Sequence, residues 1–334
     1  MKILLYTEGL KTIGKSGLGK AIKHQMKALE YANVDYTLNT DDYYDILHIN
    51  TYFPKSFLLA KKAKKKGKKI VYHAHSTEED YRNGFILSKQ TSKIFKWWLI
   101  KCYSLGDVIV TPTSYSKKLL SSYKGLENKK IYDISNGIEI GFFERDNALK
   151  EKFRQEYKIK KNEKVVIGIG LYIERKGIVD FVELAKRLPE YKFIWFGYSD
   201  LKFSTKAVKK AVNTKLDNLI FAGYVEQYKI KEAMNGCDLY IFPTLEETEG
   251  IPIIEACACK TKALIRDIPV FDWITDGKEV YKAKNVDEFE DKIRRILSNE
   301  LPDLTENAYL LAKDRDLKII GKKLKEVYKY VLKK

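Results

Sequence analysis

Two glutamates, Glu247 and Glu255, stand eight residues apart in the stretch Phe242 to Ala258, FPTLEETEGIPIIEACA. The run leaves an apolar strand, crosses a turn containing Thr248 and Gly250, and enters a helix near Pro252, where proline costs no hydrogen bond. A helix start offers amides and a positive dipole end to a phosphate, and carboxylates on either side can grip sugar hydroxyls. That combination suits a nucleotide sugar. A solvated acidic turn would account for Glu246 and Glu249, and less easily for Glu255 between Ile254 and Ala256.

A second stretch, TIGKSGLGKAI from Thr12 to Ile22, spaces Gly14, Gly19 and Lys20 like a triphosphate-binding loop. Ala21 occupies the position where such a loop needs a Ser or Thr hydroxyl for magnesium. Glu8 to Ile13 also separate the first strand from Gly14. The spacing therefore argues against an ATPase. Ser16, Gly17 and Gly19 read as a strand-to-helix turn whose amides can face an anion or a sugar hydroxyl. A third stretch, HAHSTEEDYRNGF from His73 to Phe85, has two readings. His73 and His75 alternate on a strand and precede Glu78, Glu79 and Asp80, as in a divalent metal site. Alternatively, His75 at the strand's carboxyl end faces the crevice where ligands of such folds bind. Asp314 and Asp316 form a D-x-D that falls in the C-terminal helical stretch and reads as a decoy. Cys257 and Cys259 sit two apart on an expected helix and, like Cys102 and Cys237, read as buried small side chains.

These residues need a scaffold. The first half alternates short apolar runs, KILLYT, DYTLNT, DILHIN, KIVYHAH and DVIVTP, with helices expected over 17–32, 54–66 and 88–105. A second series starts at KVVIGIG and continues through KFIWFG, LIFAGY, DLYIFP and KALIRD. Such alternation predicts parallel, doubly wound sheets. The expectation is α/β, with two Rossmann-like domains facing an interdomain cleft: 1–145, 146–310, and a C-terminal helix over 311–334. In that helix Ile319, Ile320, Leu324, Val327 and Val331 share a face, so it should pack, and the N-terminal domain is its candidate partner.

The chain has 334 residues, 45% of them hydrophobic, enough for two cored domains. Lys and Arg outnumber Asp and Glu by 62 to 45, a net charge of +17, which calls for an anionic partner. No motif organises those charges for nucleic acid, so none is expected as a partner. No segment approaches the roughly 20 apolar residues that span a bilayer, and the N-terminal run is too short for a signal peptide. SKIFKWWLIKCY instead sets Phe95, Trp97 and Trp98 among Lys93, Lys96 and Lys101, the composition of a helix lying at headgroup level. A core helix with snorkelling lysines is the other reading. The lysine run from Lys61 to Lys69 would add about 1 kcal/mol of attraction per lysine held close to an anionic surface.

The run EETEGIPIIEA resembles the E-x7-E signature of the retaining family 4 glycosyltransferases, which have the GT-B fold. GIGLYIERKGIVDFVELA resembles that family's G-R-L-x-x-x-K-G segment, with Leu171 at the usual arginine position; SNGIE and TPTSYSK match further family segments. The resemblance implies that Glu255 holds the donor's ribose, that Glu247 contacts the donor sugar, and that the amides near Gly250 and Ile251 lie by the sugar and diphosphate. It also implies that Lys176, with Arg175 as a substitute cation, neutralises the diphosphate and that His75 positions the sugar, the Ser16–Gly17–Gly19 turn lying on the donor side. Of these, His75, Lys176 and Glu247 are the catalytic candidates. No cofactor or metal is required, a divalent ion being at most a stimulant. More narrowly, KSGLGKAIKHQ, LHINTY and HSTEEDYRNGF resemble bacterial enzymes that add sugar to diacylglycerol glycolipids, especially diglucosyldiacylglycerol synthases. That implies UDP-glucose as donor, a monoglucosyldiacylglycerol acceptor, an anionic membrane surface as partner and a peripheral place on the cytoplasmic face. UDP-galactose as donor, diacylglycerol as acceptor, and a soluble polysaccharide glycosyltransferase are the alternatives.

Overall fold

The computed structural model describes residues 1–10, 14, 16–82 and 87–333. Contacts divide the chain into two compact units, one of residues 1–81, 90–139 and 315–334, the other of 82–89 and 140–314. The divisions at 139/140 and 314/315 compare with 145/146 and 310/311 expected.

In the first unit the apolar runs form strands β1 (Lys2–Tyr6), β2 (Asp35–Thr37), β3 (Ile46–Ile49), β4 (Lys69–His73), β5 (Val108–Thr111) and β6 (Lys130–Asp133). They pair in parallel in the order β2-β1-β3-β4-β5-β6. Buried on both faces, β3, β4 and β5 are apolar apart from His48, Lys69, His73 and Thr111, as parallel strands covered by helices largely are. Helices α1 (Gly17–Tyr31), α2 (Pro54–Lys65) and α3 (Ser88–Tyr103) accompany them. Ser16 caps α1, its Oγ accepting from Gly19 N–H at 3.2 Å. One core lies over Ile3, Leu5, Val71 and Val110. The other lies over Leu4, Leu47, Tyr72 and Ile109.

The second unit repeats the plan. Strands β7 (Val165–Ile169), β8 (Lys192–Phe196), β9 (Leu219–Gly223), β10 (Leu239–Phe242), β11 (Ala263–Arg266) and β12 (Tyr281–Ala283) run parallel in the order β12-β11-β10-β7-β8-β9. The short strands β6 and β12 escape the sequence reading because neither carries a long apolar run. The functional stretches lead into helices α4 (Ile178–Arg187) and α5 (Ile251–Ala258).

The C-terminal stretch is two helices, Thr305–Lys313 and α6 (Leu317–Lys333). Helix α6 belongs to the first unit and packs on α1, so closely that a Cβ at Gly321 would collide with the Ala28 carbonyl. Its buried face is Leu317, Ile320, Leu324, Val327, Tyr328 and Val331. Ile319, expected on that face, is 37% exposed, because it lies one position out of register with the stripe.

Candidate functional site

In the second unit the chemistry gathers where β10 ends. The chain leaves Phe242, turns through Thr244 to Gly250 and starts α5 at Ile251 with Pro252 in its first turn. Gly250 is left-handed (φ 87°), and a Cβ there would come within 2.9 Å of the Phe242 ring, so the turn needs glycine twice over.

The expected residues Arg175, Lys176 and Glu247 are brought together. Lys176 Nζ ion-pairs with Glu247 Oε1, Arg175 Nη1 lies 3.8 Å from Oε2, and Thr244 Oγ1 donates to Oε1 at 3.1 Å. Burial alone would raise the Glu247 carboxyl; the charges of Lys176 and Arg175 outweigh it and hold the group below its ordinary range. Arg175 also fixes the turn itself. Its guanidinium donates to the Glu246 carbonyl at 2.7 Å, and the Arg175 carbonyl accepts from Leu245 N–H at 2.7 Å. The two neighbours thus divide the work, Arg175 bracing the backbone and Lys176 meeting the carboxylate. Glu255 is fully buried inside α5. Burial, then the charges of Glu247 and Glu255, push the Tyr240 phenol up, so both carboxylates flank one buried tyrosine.

Arg266, at the end of β11, carries no motif and was not foreseen. Its guanidinium is 5% exposed, ion-pairs with Asp180 of α4, and donates to the Pro243 carbonyl at 3.1 Å and the Lys284 carbonyl at 2.8 Å. It ties α4 and the residue after β12 to Pro243, where the turn begins. A separate polar concavity, lined by Arg145, Lys164, Asp238, Lys260 and Lys262, lies at the amino-terminal ends of β7, β10 and β11, opposite this cluster.

In the first unit His73 ends β4 and His75 lies two residues beyond, not on the strand as the alternation suggested. Their rings stack with centroids 4.0 Å apart, and His75 Nε2 lies 2.9 Å from Asn50 Oδ1. Among the described residues no group of three or more His, Cys, Asp or Glu is arranged to hold a metal ion. Of the D-x-D pair, Asp314 caps the helix Thr305–Lys313, and Asp316 Oδ1 accepts from Lys318 N–H at 2.8 Å. Thr12, Ile13 and Lys15 of the glycine-rich loop, and Asn83 to Phe85 of the histidine stretch, lie outside the described residues.

Of the surface residues expected on α3, Trp97 (57% exposed), Lys93 and Lys101 face outward, joined by Ile94. The other three turn inward. Trp98 donates its indole N–H to the Tyr52 carbonyl at 2.6 Å and packs on Phe57; Phe95 stacks on Tyr81. Lys96 ion-pairs with buried Glu78 at 3.2 Å and lies over the Tyr123 ring. The correction follows helical geometry, since 95, 96 and 98 lie three or four positions from Leu99 and Cys102, on or beside the face that these bury with Tyr103. No described helix is long and apolar enough to cross a membrane.

Two parallel six-stranded α/β units, with cations and carboxylates meeting at a helix start, are the parts of a GT-B glycosyltransferase. The model of the glycosyl transferases group 1 matches residues 150–314, and that of glycosyltransferase family 4 matches 31–142. The processive diacylglycerol alpha-glucosyltransferase of Acholeplasma laidlawii is 39% identical over 100% of this chain and 99% of its own. The alpha-galactosylglucosyldiacylglycerol synthase of Streptococcus pneumoniae is 24% identical over 94% of this chain and 85% of its own. Among solved structures, Anabaena Alr3699/HepE in complex with UDP and glucose superposes with a TM-score of 0.79 at 17% identity, covering 98% of this chain and 99% of that one. The chain belongs to glycosyltransferase family 4.

Proposed function

We propose that this glycosyltransferase moves glucose from UDP-glucose to the sugar of monoglucosyldiacylglycerol, giving the diglucosyl lipid, on a membrane surface. The observation that carries this reading is the Lys176–Glu247–Arg175 cluster at the start of α5, set in a chain similar over its full length to a diacylglycerol alpha-glucosyltransferase. The donor diphosphate takes Lys176 from Glu247. Lys176 and the first amides of α5, at Gly250 and Ile251, then meet the charge that grows on the leaving phosphate, a contribution of the kind that dominates many enzymatic rates. Glu247, released, accepts from hydroxyls of the transferred glucose, and Glu255 accepts from the ribose. His75 and the amides of the Ser16–Gly17–Gly19 turn are further candidates for contacts to the sugar or the diphosphate. UDP-glucose is an alpha-linked donor and the relative makes alpha-glucosides, which supports transfer with retention. The acceptor oxygen bonds to C1, the C1–O bond to phosphate breaks, and the acceptor proton passes to the leaving phosphate oxygen. A metal ion is not required in this scheme.

The outward face of α3, with Trp97, Ile94, Lys93 and Lys101, supports docking on anionic lipid, and the exposed lysines of α2 add to it. The enzyme then works as a peripheral protein on the cytoplasmic face, where nucleotide sugars are available. The relative's name also supports a second reading, in which diacylglycerol is itself an acceptor and the enzyme adds sugars in succession.

The test is incubation with UDP-glucose or UDP-galactose against diacylglycerol and monoglucosyldiacylglycerol in micelles, with the products identified and EDTA in parallel. Diglucosyl lipid from UDP-glucose, undiminished by EDTA, is expected. Absence of product from every pair would sink the reading. Lys176→Ala should lower turnover by about 100-fold or more, on the scale of removing one charge-stabilising group, while Lys20→Ala leaves UDP-glucose binding intact.

A further inference from the structure

All four histidines of the chain lie in the first unit, and three form a continuous ladder. Tyr328 Oη of α6 lies 2.7 Å from His48 Nδ1. Gln25 Nε2 of α1 lies 2.9 Å from His48 Nε2, which in turn is 3.2 Å from His73 Nδ1. The His73 ring stacks on His75 at an interplanar angle of 11°, and His75 Nε2 meets Asn50 Oδ1 at 2.9 Å. Asn50 follows β3 and His73 ends β4, adjacent strands paired at Ile49 and Tyr72, so both stand at the carboxyl edge of the sheet.

The proton positions follow from what each partner can do. A carboxamide oxygen only accepts, so His75 Nε2 carries the ring proton and donates it to Asn50, leaving Nδ1 as the acceptor. A carboxamide nitrogen only donates, so Gln25 Nε2, 2.9 Å from His48 Nε2 and 3.3 Å from Nδ1, donates to the His48 ring, whose Nδ1 also meets Tyr328 Oη. His75 is thereby assigned one tautomer. Burial disfavours a charge on any of them. Burial holds His48 and His75 down to about 3 and His73 well below its ordinary value, and the neighbouring rings add to the effect on His48 and His73.

We propose that Asn50 and His73, backed by His48, Gln25 and Tyr328, are positioning residues that lock His75 as a single neutral tautomer and present its Nδ1 to a sugar hydroxyl. This rests on the reading of His75 as a sugar-contacting residue. The chemistry explains why neutrality matters. The anomeric carbon gains positive charge as its bond to phosphate breaks, and an imidazolium beside it would oppose that charge. A neutral acceptor orients the hydroxyl without doing so. The ladder also reaches from the sheet edge to α6, so the C-terminal helix takes part in setting the ring.

The test places a carboxylate where the amide stands. In Asn50→Asp the new charge faces His75 Nε2–H and favours the imidazolium. Two-bond proton–nitrogen NMR of the imidazoles in the full chain reports the result directly. In the unaltered protein His75 should show the Nε2–H pattern, unchanged from about pH 8.5 to 5.5, since its pKa lies far below that range. In Asn50→Asp it should titrate there, and glucosyl transfer should fall about tenfold per pH unit below the new pKa, mainly in kcat, recovering at alkaline pH. Tyr328→Phe removes the partner of His48 Nδ1 and, acting through the packing of the ladder, should loosen the seat of His75 and lower kcat. Mixed tautomers or protonation of His75 in the unaltered protein overturn the proposal. If His75→Ala abolishes transfer while Asn50→Asp and Tyr328→Phe match the unaltered enzyme in spectrum and pH profile, the positioning role alone fails. Full transfer by His75→Ala would instead overturn the reading of His75 itself, and with it the use of the ladder.

Discussion

At the residue scale the candidate site is a set of opposed charges held shut on themselves. Lys176 and Glu247 neutralise each other, and in the proposed reaction each changes partner when a phosphate and a sugar arrive. Arg266 is of another kind, since its partners are two carbonyls and the Asp180 carboxylate, all belonging to the scaffold. Arg266→Met should cost about 2–4 kcal/mol, because it leaves two buried acceptors and a partly exposed charge unpaired. Urea unfolding followed by tryptophan fluorescence measures that loss. A change under about 0.5 kcal/mol, the usual effect of a surface site, would show that the guanidinium is dispensable. Glu247, Glu255 and Lys176 are legible in the sequence because they sit in short runs of fixed spacing beside a proline and a glycine. Arg266 is not, because its partners come from three other segments of the chain.

At the element scale α3 divides two adjacent tryptophans. Trp97 faces outward and Trp98 is hydrogen-bonded into the core, so the pair does not act as one membrane anchor. Trp97→Ser should reduce flotation with anionic vesicles and leave stability within about 0.5 kcal/mol, as for a typical surface change. Trp98→Ser should destabilise by about 2–3 kcal/mol, the range for truncating a packed aromatic discounted for its partial exposure. Flotation of Trp98→Ser at a temperature where it stays folded should match the unaltered protein. Equal loss of vesicle binding in both variants would contradict this division. Composition marks the helix as amphipathic, but aromatic and basic residues occupy every side of it, and only the packing of Tyr52, Phe57 and Tyr81 selects the inner one.

At the scale of the whole molecule, the buried histidines make the first unit acid-sensitive. A histidine whose pKa is lowered by folding takes up its proton in the unfolded chain first. Its stabilising contribution is therefore complete above the ordinary value near 6.5 and declines as pH falls below it. His48 and His73 are both fully enclosed, and each should remove up to about 1.4 kcal/mol of stability per pH unit below that point. Glu247, held low by Lys176, adds to the loss only below its ordinary range near 4.5. Thermal melts between pH 8 and 5 should show the first unit failing first. A melting temperature independent of pH over that range would mean that the rings are not kept neutral.

The sequence by itself determined the two α/β series, the glycine-proline entry into α5, the spacing of Glu247 and Glu255, and the basic surface. These are encoded between near neighbours, by periodicity, turn chemistry and composition. Only the tertiary structure decided which tryptophan turns outward, that Lys176 pairs with Glu247 while Arg175 braces the turn, and that Tyr328 reaches His48 across 280 positions of chain. Such contacts depend on where folded elements come to rest against one another. The pairings therefore carry no local signal, even where one of the residues does, and packing alone supplies them.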